Sequence, residues 1–256
     1  MPANDLPLLT EAAHEAGEIA KRFWRENPQV WDKGGNDPVS EADLAVDRHL
    51  RERLLEARPD YGWVSEETED DSARLDAESI FIVDPIDGTR SFVKGEATWA
   101  HSIAVAERGV VTAGVVYLPV RDKLYRAAKG AGAHLNDAPI RATDAAILEG
   151  SDVLSPKVTF QPEFWRDTPP QVVRHFRPSL AYRLALVAEG RFDAMITLRD
   201  AWEWDIAAGT LIAEEAGATV VDRNGATLAF NSPLRKTAGV ISGSRALARS
   251  VVDALA

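Results

Sequence analysis

A short apolar run at residues 80–83, Ile-Phe-Ile-Val, leads directly into Asp84-Pro85-Ile86-Asp87-Gly88-Thr89. The run reads as a buried strand. Its end brings two carboxylates, three positions apart, to one place. Pro85 stiffens the backbone between them, and Gly88 lets the chain turn sharply. A strand end built this way suits a hard divalent cation such as Mg²⁺, which takes carboxylate, carbonyl and water oxygens. Taken alone, Asp-Gly is a common turn, and an Asp after a strand often caps a helix.

Upstream, Leu8, Leu9, Ala12, Ala13, Ala16, Ile19, Ala20 and Phe23 recur at helical spacing and predict an amphipathic helix over residues 8–24. Residues 33–38, Lys-Gly-Gly-Asn-Asp-Pro, break that pattern and predict a mobile loop able to close over a site. A second helix is expected from Ser40 to about residue 57, opened by the capping-box string Ser40-Glu41-Ala42-Asp43. Residues 102–106 and 110–117 flank Arg108-Gly109 as a hairpin, and residues 124–128 and 133–135 add strands. The N-terminal half thus reads as two helices on a largely antiparallel sheet.

Downstream, helices are expected at residues 180–189 and 206–216, stopped by Gly190 and Gly217. Residues 192–198 are strand-like. Residues 220–221 and 227–230 flank Asn224-Gly225, a hairpin signal. A strand at 239–242 and a helix at 246–255 follow. Residues 151–178, rich in Pro and polar side chains, show no period. Within them, 157–175 have three open roles: core packing, substrate choice or a dimer contact. With no flexible linker, we expect two subdomains, 1–140 and 141–256, sharing one cleft. The first would carry most metal ligands and the second would complete the cleft.

The net charge of −11, without a basic tract, speaks against a nucleic-acid polymer or an anionic membrane as partner. A chain this acidic needs cations to act on phosphate. There is no cysteine, which excludes disulfides, thiolate zinc sites and cysteine nucleophiles and fits a reducing compartment. Residues 1–9 lack the basic-then-apolar form of a secretory signal, and no apolar run nears the roughly 20 residues of a membrane span. A cytoplasmic protein with a small-molecule partner and no stable membrane insertion is the expectation.

Three further strings complete a pattern. Ser65-Glu66-Glu67-Thr68 precedes the Asp84–Thr89 segment, Ser40-Glu41-Ala42-Asp43 lies upstream of both, and Trp204-Asp205-Ile206-Ala207-Ala208-Gly209 opens a late helix, with Glu214-Glu215-Ala216-Gly217 after it. In this order, the set resembles the inositol monophosphatase superfamily of Mg²⁺-dependent, lithium-sensitive phosphatases. The resemblance implies an α/β fold, the layered αβαβα sandwich of the sugar-phosphatase type. It implies two Mg²⁺ ions, one on Glu66, Asp84 and the Ile86 carbonyl, the other on Asp84, Asp87 and Asp205. A third would join with substrate, since Glu66 has oxygens to spare. Asp43 and Thr89, with Glu66, would form the catalytic set that orients and deprotonates the attacking water. The Gly88 and Thr89 N–H groups would contact phosphate where the turn opens a helix. Plainer readings exist: Asp43 and Asp205 as caps, Glu66 as part of an exposed acidic run. Asp47, Glu67, Glu69 and Asp70 are read as structural or surface residues.

Two departures bear on substrate. The family usually continues Gly-Thr-Thr-Asn-Phe, whereas this chain reads Gly88-Thr89-Arg90-Ser91-Phe92-Val93-Lys94-Gly95. That looks more like the 3'(2'),5'-bisphosphate nucleotidase branch, as does the run from Leu180 to Gly190. Inositol phosphatases also place a Glu seven residues before the Trp-Asp aspartate, where this chain has Leu198, which cannot accept a hydrogen bond from a hydroxyl. Arg90, Lys94, Arg183 and Arg199 become candidates for a second phosphate or an adenine-ribose end. Of Trp99, Trp202 and Trp204, one could stack on a base while the others pack. The favoured activity is hydrolysis of adenosine 3',5'-bisphosphate to AMP and phosphate. The alternatives are an inositol-1-phosphate-type monophosphatase of broad specificity, histidinol phosphate or fructose 1,6-bisphosphate as substrate, and, from another class, a regulatory binding partner with weak phosphatase activity. Family members are often homodimers, and that option stays open.

Overall fold

The computed structural model describes residues 5–35 and 38–256. Helices α1 (Leu6–Lys21) and α2 (Glu41–Ala57) are joined through a small hairpin of β1 (Val30–Asp32) and β2 (Pro38–Ser40). Leu9, Ala12, Ala13, Ala16 and Ala20 form the buried stripe of α1, and Val46, Leu50 and Leu54 that of α2. Both follow the spacing of one helical face. Ser40 opens α2 as its N-cap, and Asp43 closes the capping box.

The first sheet contains, in chain order, β3 (Gly62–Ser65), β4 (Ser79–Asp87), β5 (Ala100–Glu107), β6 (Val110–Leu118), β7 (Lys123–Ala128), β8 (Ala133–Leu135) and β9 (Ala138–Pro139). The β3–β4 pair is parallel and the other pairs are antiparallel. A short helix, α3 (Thr89–Val93), leaves the end of β4. The continuous apolar run of β4 has a structural reason: both faces of the sheet are covered. Phe81 and Val83 join the core with α1 and α2, while Ile80 and Ile82 join the core on the other side. Each such buried side chain stabilises the fold by about 1.5–3 kcal/mol relative to exposure.

The second half supplies β10 (Asp152–Leu154), β11 (Val173–His175), β12 (Ala194–Thr197), β13 (Ala201–Trp202), β14 (Thr219–Val221), β15 (Lys236–Thr237) and β16 (Val240–Gly243). Five of these form a sheet ordered β11-β10-β12-β16-β14, and β13 pairs with β15. Its helices are α4 (Leu180–Ala188), α5 (Glu203–Glu215) and α6 (Arg245–Ala254). Helices α4 and α5 lie between the sheets: α5 packs on β4 to β7, and α4 touches β12 and β16. Helix α6 covers β14 and β16 from outside. The layers therefore run αβαβα, as the resemblance implies. Gly209 lets the two middle helices approach, because a Cβ there would sit 2.7 Å from the Leu184 Cβ.

Some elements differ from expectation. Residues 227–230 do not pair back on β14, whose partner is β16. Asp222 instead closes a local turn, accepting from the N–H groups of Asn224 and Ala226, and the chain then runs to the β5–β6 turn, where the Phe230 N–H donates to the Gly109 carbonyl. Residues 151–178 hold two three-residue strands, β10 and β11, and two short 3₁₀ turns. The loop expected at 33–38 includes residues 36 and 37, which lie outside the described residues. Among the described residues, no helix is long and apolar enough to cross a membrane.

Candidate active site

The end of β4 is irregular. Asp84 pairs with Ser102 and Asp87 with Ala100, so Pro85 and Ile86 together face His101 alone. This is a β-bulge, and Pro85, which has no N–H, sits inside it. Gly88 follows at φ 102°, a left-handed conformation that carries the chain into α3. Bulge and turn leave Asp84, Asp87 and Thr89 close together and almost fully buried.

Asp205 arrives from the other half. Helix α5 begins at Glu203, earlier than expected, so Asp205 is not the N-cap but lies in the first turn, where the helix dipole favours a negative charge. One carboxylate oxygen each from Asp84, Asp87 and Asp205 lie within 4.8 Å of one another. Asp87 Oδ2 accepts from the Ser179 hydroxyl at 2.8 Å and the Ala181 N–H at 2.6 Å, which ties it to the start of α4. Asp84 Oδ1 is buried and has no hydrogen-bond partner among the described residues.

Crowded acids in an apolar shell resist ionisation. Burial first, then the charges of Glu66, Asp87, Asp205 and Asp43, push Asp84 well above the usual carboxylate range. Asp205 is raised likewise, by burial and by Asp87 and Glu66, with Arg199 and Arg183 opposing. Burial lifts Asp87 to about 6, although the Ala181 N–H, the Ser179 hydroxyl and Arg183 hold it down. An oxygen-rich cluster of this kind, with Asp84 Oδ1 left unpaired among the described residues, fits Mg²⁺, whose charge would offset the mutual repulsion.

Glu66 follows β3, its N–H donating to the Val83 carbonyl at 3.2 Å. It stands outside the triad of oxygens, yet its charge raises Asp43, Asp84, Asp87 and Asp205. Lys33 reaches across from the β1–β2 hairpin and pairs with both Glu66 and Glu67 at 2.9 Å. Burial alone would lower the Lys33 pKa, but the two glutamates outweigh it and hold it above the usual lysine value. Glu67 is half-buried, with its side chain nearly covered, and is pushed up to about 7 by desolvation and by Glu66. Asp47 is also buried, and it accepts from the Ser65 and Thr68 hydroxyls. Its part is to hold the turn that carries Glu66.

Asp43 shows that its two readings are compatible. It caps α2, accepting from the Ser40 N–H at 2.9 Å and from the Ser40 hydroxyl. Its other oxygen lies 3.0 Å from the Thr89 hydroxyl, which is also 3.1 Å from the Ile86 carbonyl. Burial raises Asp43 to about 6, against the Ser40 and Thr89 hydrogen bonds.

The expected substrate residues are less uniform. Arg90 is exposed on α3, and Arg199 is exposed in the β12–β13 connection. Arg183 points inward: it donates to the Arg177 and Pro178 carbonyls and stacks on Phe176, with its Cζ 4.4 Å from the ring centroid. Leu198 is buried against α6 and the second sheet, and its carbonyl accepts from Arg223 at 2.8 Å. Trp99 is fully buried against Phe92, and Trp204 is buried beneath half-buried Trp202, their ring centroids 4.6 Å apart. Sequence reasoning missed Ser179 and His101 as neighbours of the site, and it placed Lys33 in a loop able to close over a site without its ion pairs to Glu66 and Glu67. Only Ser179 had a local signal, as a helix cap before Leu180.

Comparison with known proteins covers almost the whole chain. The sequence profile described as "Inositol monophosphatase family" matches residues 3–255. An inositol-1-monophosphatase of Rhizobium meliloti (strain 1021) is 33% identical over 264 residues, covering 98% of this chain and 95% of its own. A histidinol-phosphatase of Chlorobaculum parvum is 31% identical over 263 residues, covering 98% and 96%. The crystal structure of extragenic suppressor protein suhB from Bartonella henselae superposes with a TM-score of 0.84 at 30% identity, covering 98% of each chain.

Proposed function

The chain belongs to the inositol monophosphatase family of phosphomonoester hydrolases, and from that premise we propose that it is a Mg²⁺-dependent, lithium-sensitive phosphatase of broad, inositol-1-phosphate-like specificity. The observation that carries this reading is the Asp84, Asp87 and Asp205 triad beside the Asp43–Thr89 hydrogen bond. In it, residues 1–140 supply Asp43, Glu66, Asp84, Asp87 and Thr89, and residues 141–256 supply Asp205.

Asp84, Asp87, Asp205, Glu66 and the Ile86 carbonyl would hold Mg²⁺. When bound, the metal supplies positive charge that neutralises the phosphate oxygens and lowers the pKa of water. The protein's own groups do the rest. Thr89 hands a hydrogen bond to Asp43, so its hydroxyl oxygen is free to accept one from the attacking water. Asp43, as the carboxylate that accepts this bond, would draw the proton on through Thr89. The Gly88 and Thr89 N–H groups would meet the phosphate at the start of α3.

Two relatives support a polyol or amino-alcohol phosphate: one bears the name inositol-1-monophosphatase, the other histidinol-phosphatase. A second reading, 3'(2'),5'-bisphosphate nucleotidase, is favoured by Leu198, which is buried where an inositol-binding Glu would stand, and by exposed Arg199 within electrostatic reach of Asp205. Phosphate release with Mg²⁺, with and without Li⁺, should be compared for inositol 1-phosphate, histidinol phosphate and adenosine 3',5'-bisphosphate. Turnover of the first two at comparable rates is expected. A strong preference for the nucleotide would replace the first reading by the second, and turnover of none would defeat both.

A further inference from the structure

His101 stands opposite the bulge that separates Asp84 from Asp87. A bulge takes backbone groups out of the ladder, and at Pro85 the group at stake is the carbonyl. That carbonyl is taken up by a side chain: His101 Nδ1 hydrogen-bonds the Pro85 oxygen. A carbonyl only accepts, so Nδ1 must carry the proton, and in the neutral ring Nε2 then holds the lone pair. The imidazole is fully buried, and Nε2 has no partner among the described residues. Desolvation lowers its pKa to about 4, so the ring is neutral at ordinary pH, as the Nδ1–H tautomer requires. Its orientation is fixed by packing. Trp99 meets it edge-on at 5.5 Å, Tyr117 lies at 6.3 Å, and Trp99 in turn packs on Phe92 of α3.

An aliphatic side chain at this inward position would bury the same surface without stranding a ring nitrogen. What only a donor at Nδ1 supplies is a hold on Pro85. We propose that His101 is a positioning residue: by pinning the Pro85 carbonyl it fixes the bulge, and so the mutual placement of the Asp84 and Asp87 carboxylates and the Ile86 carbonyl. The inference rests on the reading of these groups as metal ligands.

Two measurements test it. In the metal-free wild-type protein, long-range ¹H–¹⁵N spectra should show His101 as a neutral Nδ1–H tautomer with a slowly exchanging proton. An Nε2–H tautomer would overturn the proposal. Calorimetric titration with Mn²⁺ should then compare His101→Leu, which fills the space without a donor, with His101→Asn, whose amide nitrogen can take the place of Nδ1. We expect affinity to fall about tenfold or more in the Leu variant, and to stay within about threefold of wild type in the Asn variant, although Asn packs worse and melts lower. Affinity that instead follows melting temperature, with Leu near wild type and Asn weak, would make His101 a packing residue only. Wild-type protein that binds no Mn²⁺ would sink the metal reading, while the tautomer still decides whether His101 holds Pro85. Should the Leu variant not fold, the tautomer and the Asn variant decide the matter alone.

Discussion

Asp84 is the residue most at odds with a metal-free fold. It is buried, one oxygen has no partner among the described residues, and four neighbouring acids repel its charge. For a carboxyl raised in this way the folded state binds its proton more tightly than the unfolded chain does. Its contribution to stability is therefore present at low pH and lost as pH rises through the folded value. For Asp87 that window runs from the ordinary aspartate value of 3.8 to about 6. Asp84→Asn removes one repelling charge. In the presence of a chelator at pH 8 it should melt higher than wild type, by an amount that shrinks towards pH 4; with Mg²⁺ supplied instead, its phosphatase activity should fall by roughly a thousandfold or more, given the weight such metal sites carry. Equal melting curves at both pH values would contradict this. The motif acids were legible in the sequence because carboxylates at a strand end state their chemistry. Ser179, His101 and the acidic partners of Lys33 were not, since each acts only through a contact made across the fold.

At the scale of elements, long periodic segments were readable and short ones were not. The stripes of α1 and α2 and the two-faced run of β4 declare themselves, because each buries a continuous apolar surface. Strands β10 and β11, with three residues each, are too short to show a period. The hairpin expected at Asn224-Gly225 fails because β16 satisfies β14 better than residues 227–230 do, and Phe230 is buried elsewhere. Helix α4 illustrates how an element serves the site. Ser179 caps it by accepting from the Tyr182 N–H, and its hydroxyl donates to Asp87. Ser179→Ala should cost about 0.5–2 kcal/mol of stability through the lost cap. It should also weaken Mg²⁺ activation severalfold, because Asp87 loses an orienting donor. Denaturant unfolding and a Mg²⁺ titration of the rate measure the two effects. A loss of stability with unchanged Mg²⁺ dependence would separate the cap from the site.

Over the whole molecule, the layered architecture brings Asp205, on a helix between the sheets, to the end of a strand in the first sheet. Sequence motifs stated which residues gather, but not that Lys33 would lie against Glu66 or that Leu198 would turn into the core. Those outcomes depend on how two halves of one chain pack. Because the triad spans both halves, divalent metal should bind only when the entire fold is assembled, and should stabilise it by mass action. The most direct measurement is an anomalous difference map from crystals soaked in Mn²⁺. The account predicts peaks within coordination distance of Asp84, Asp87 and Asp205, and their loss in Asp87→Asn crystals. Manganese bound elsewhere, with no peak among these three carboxylates, would contradict it.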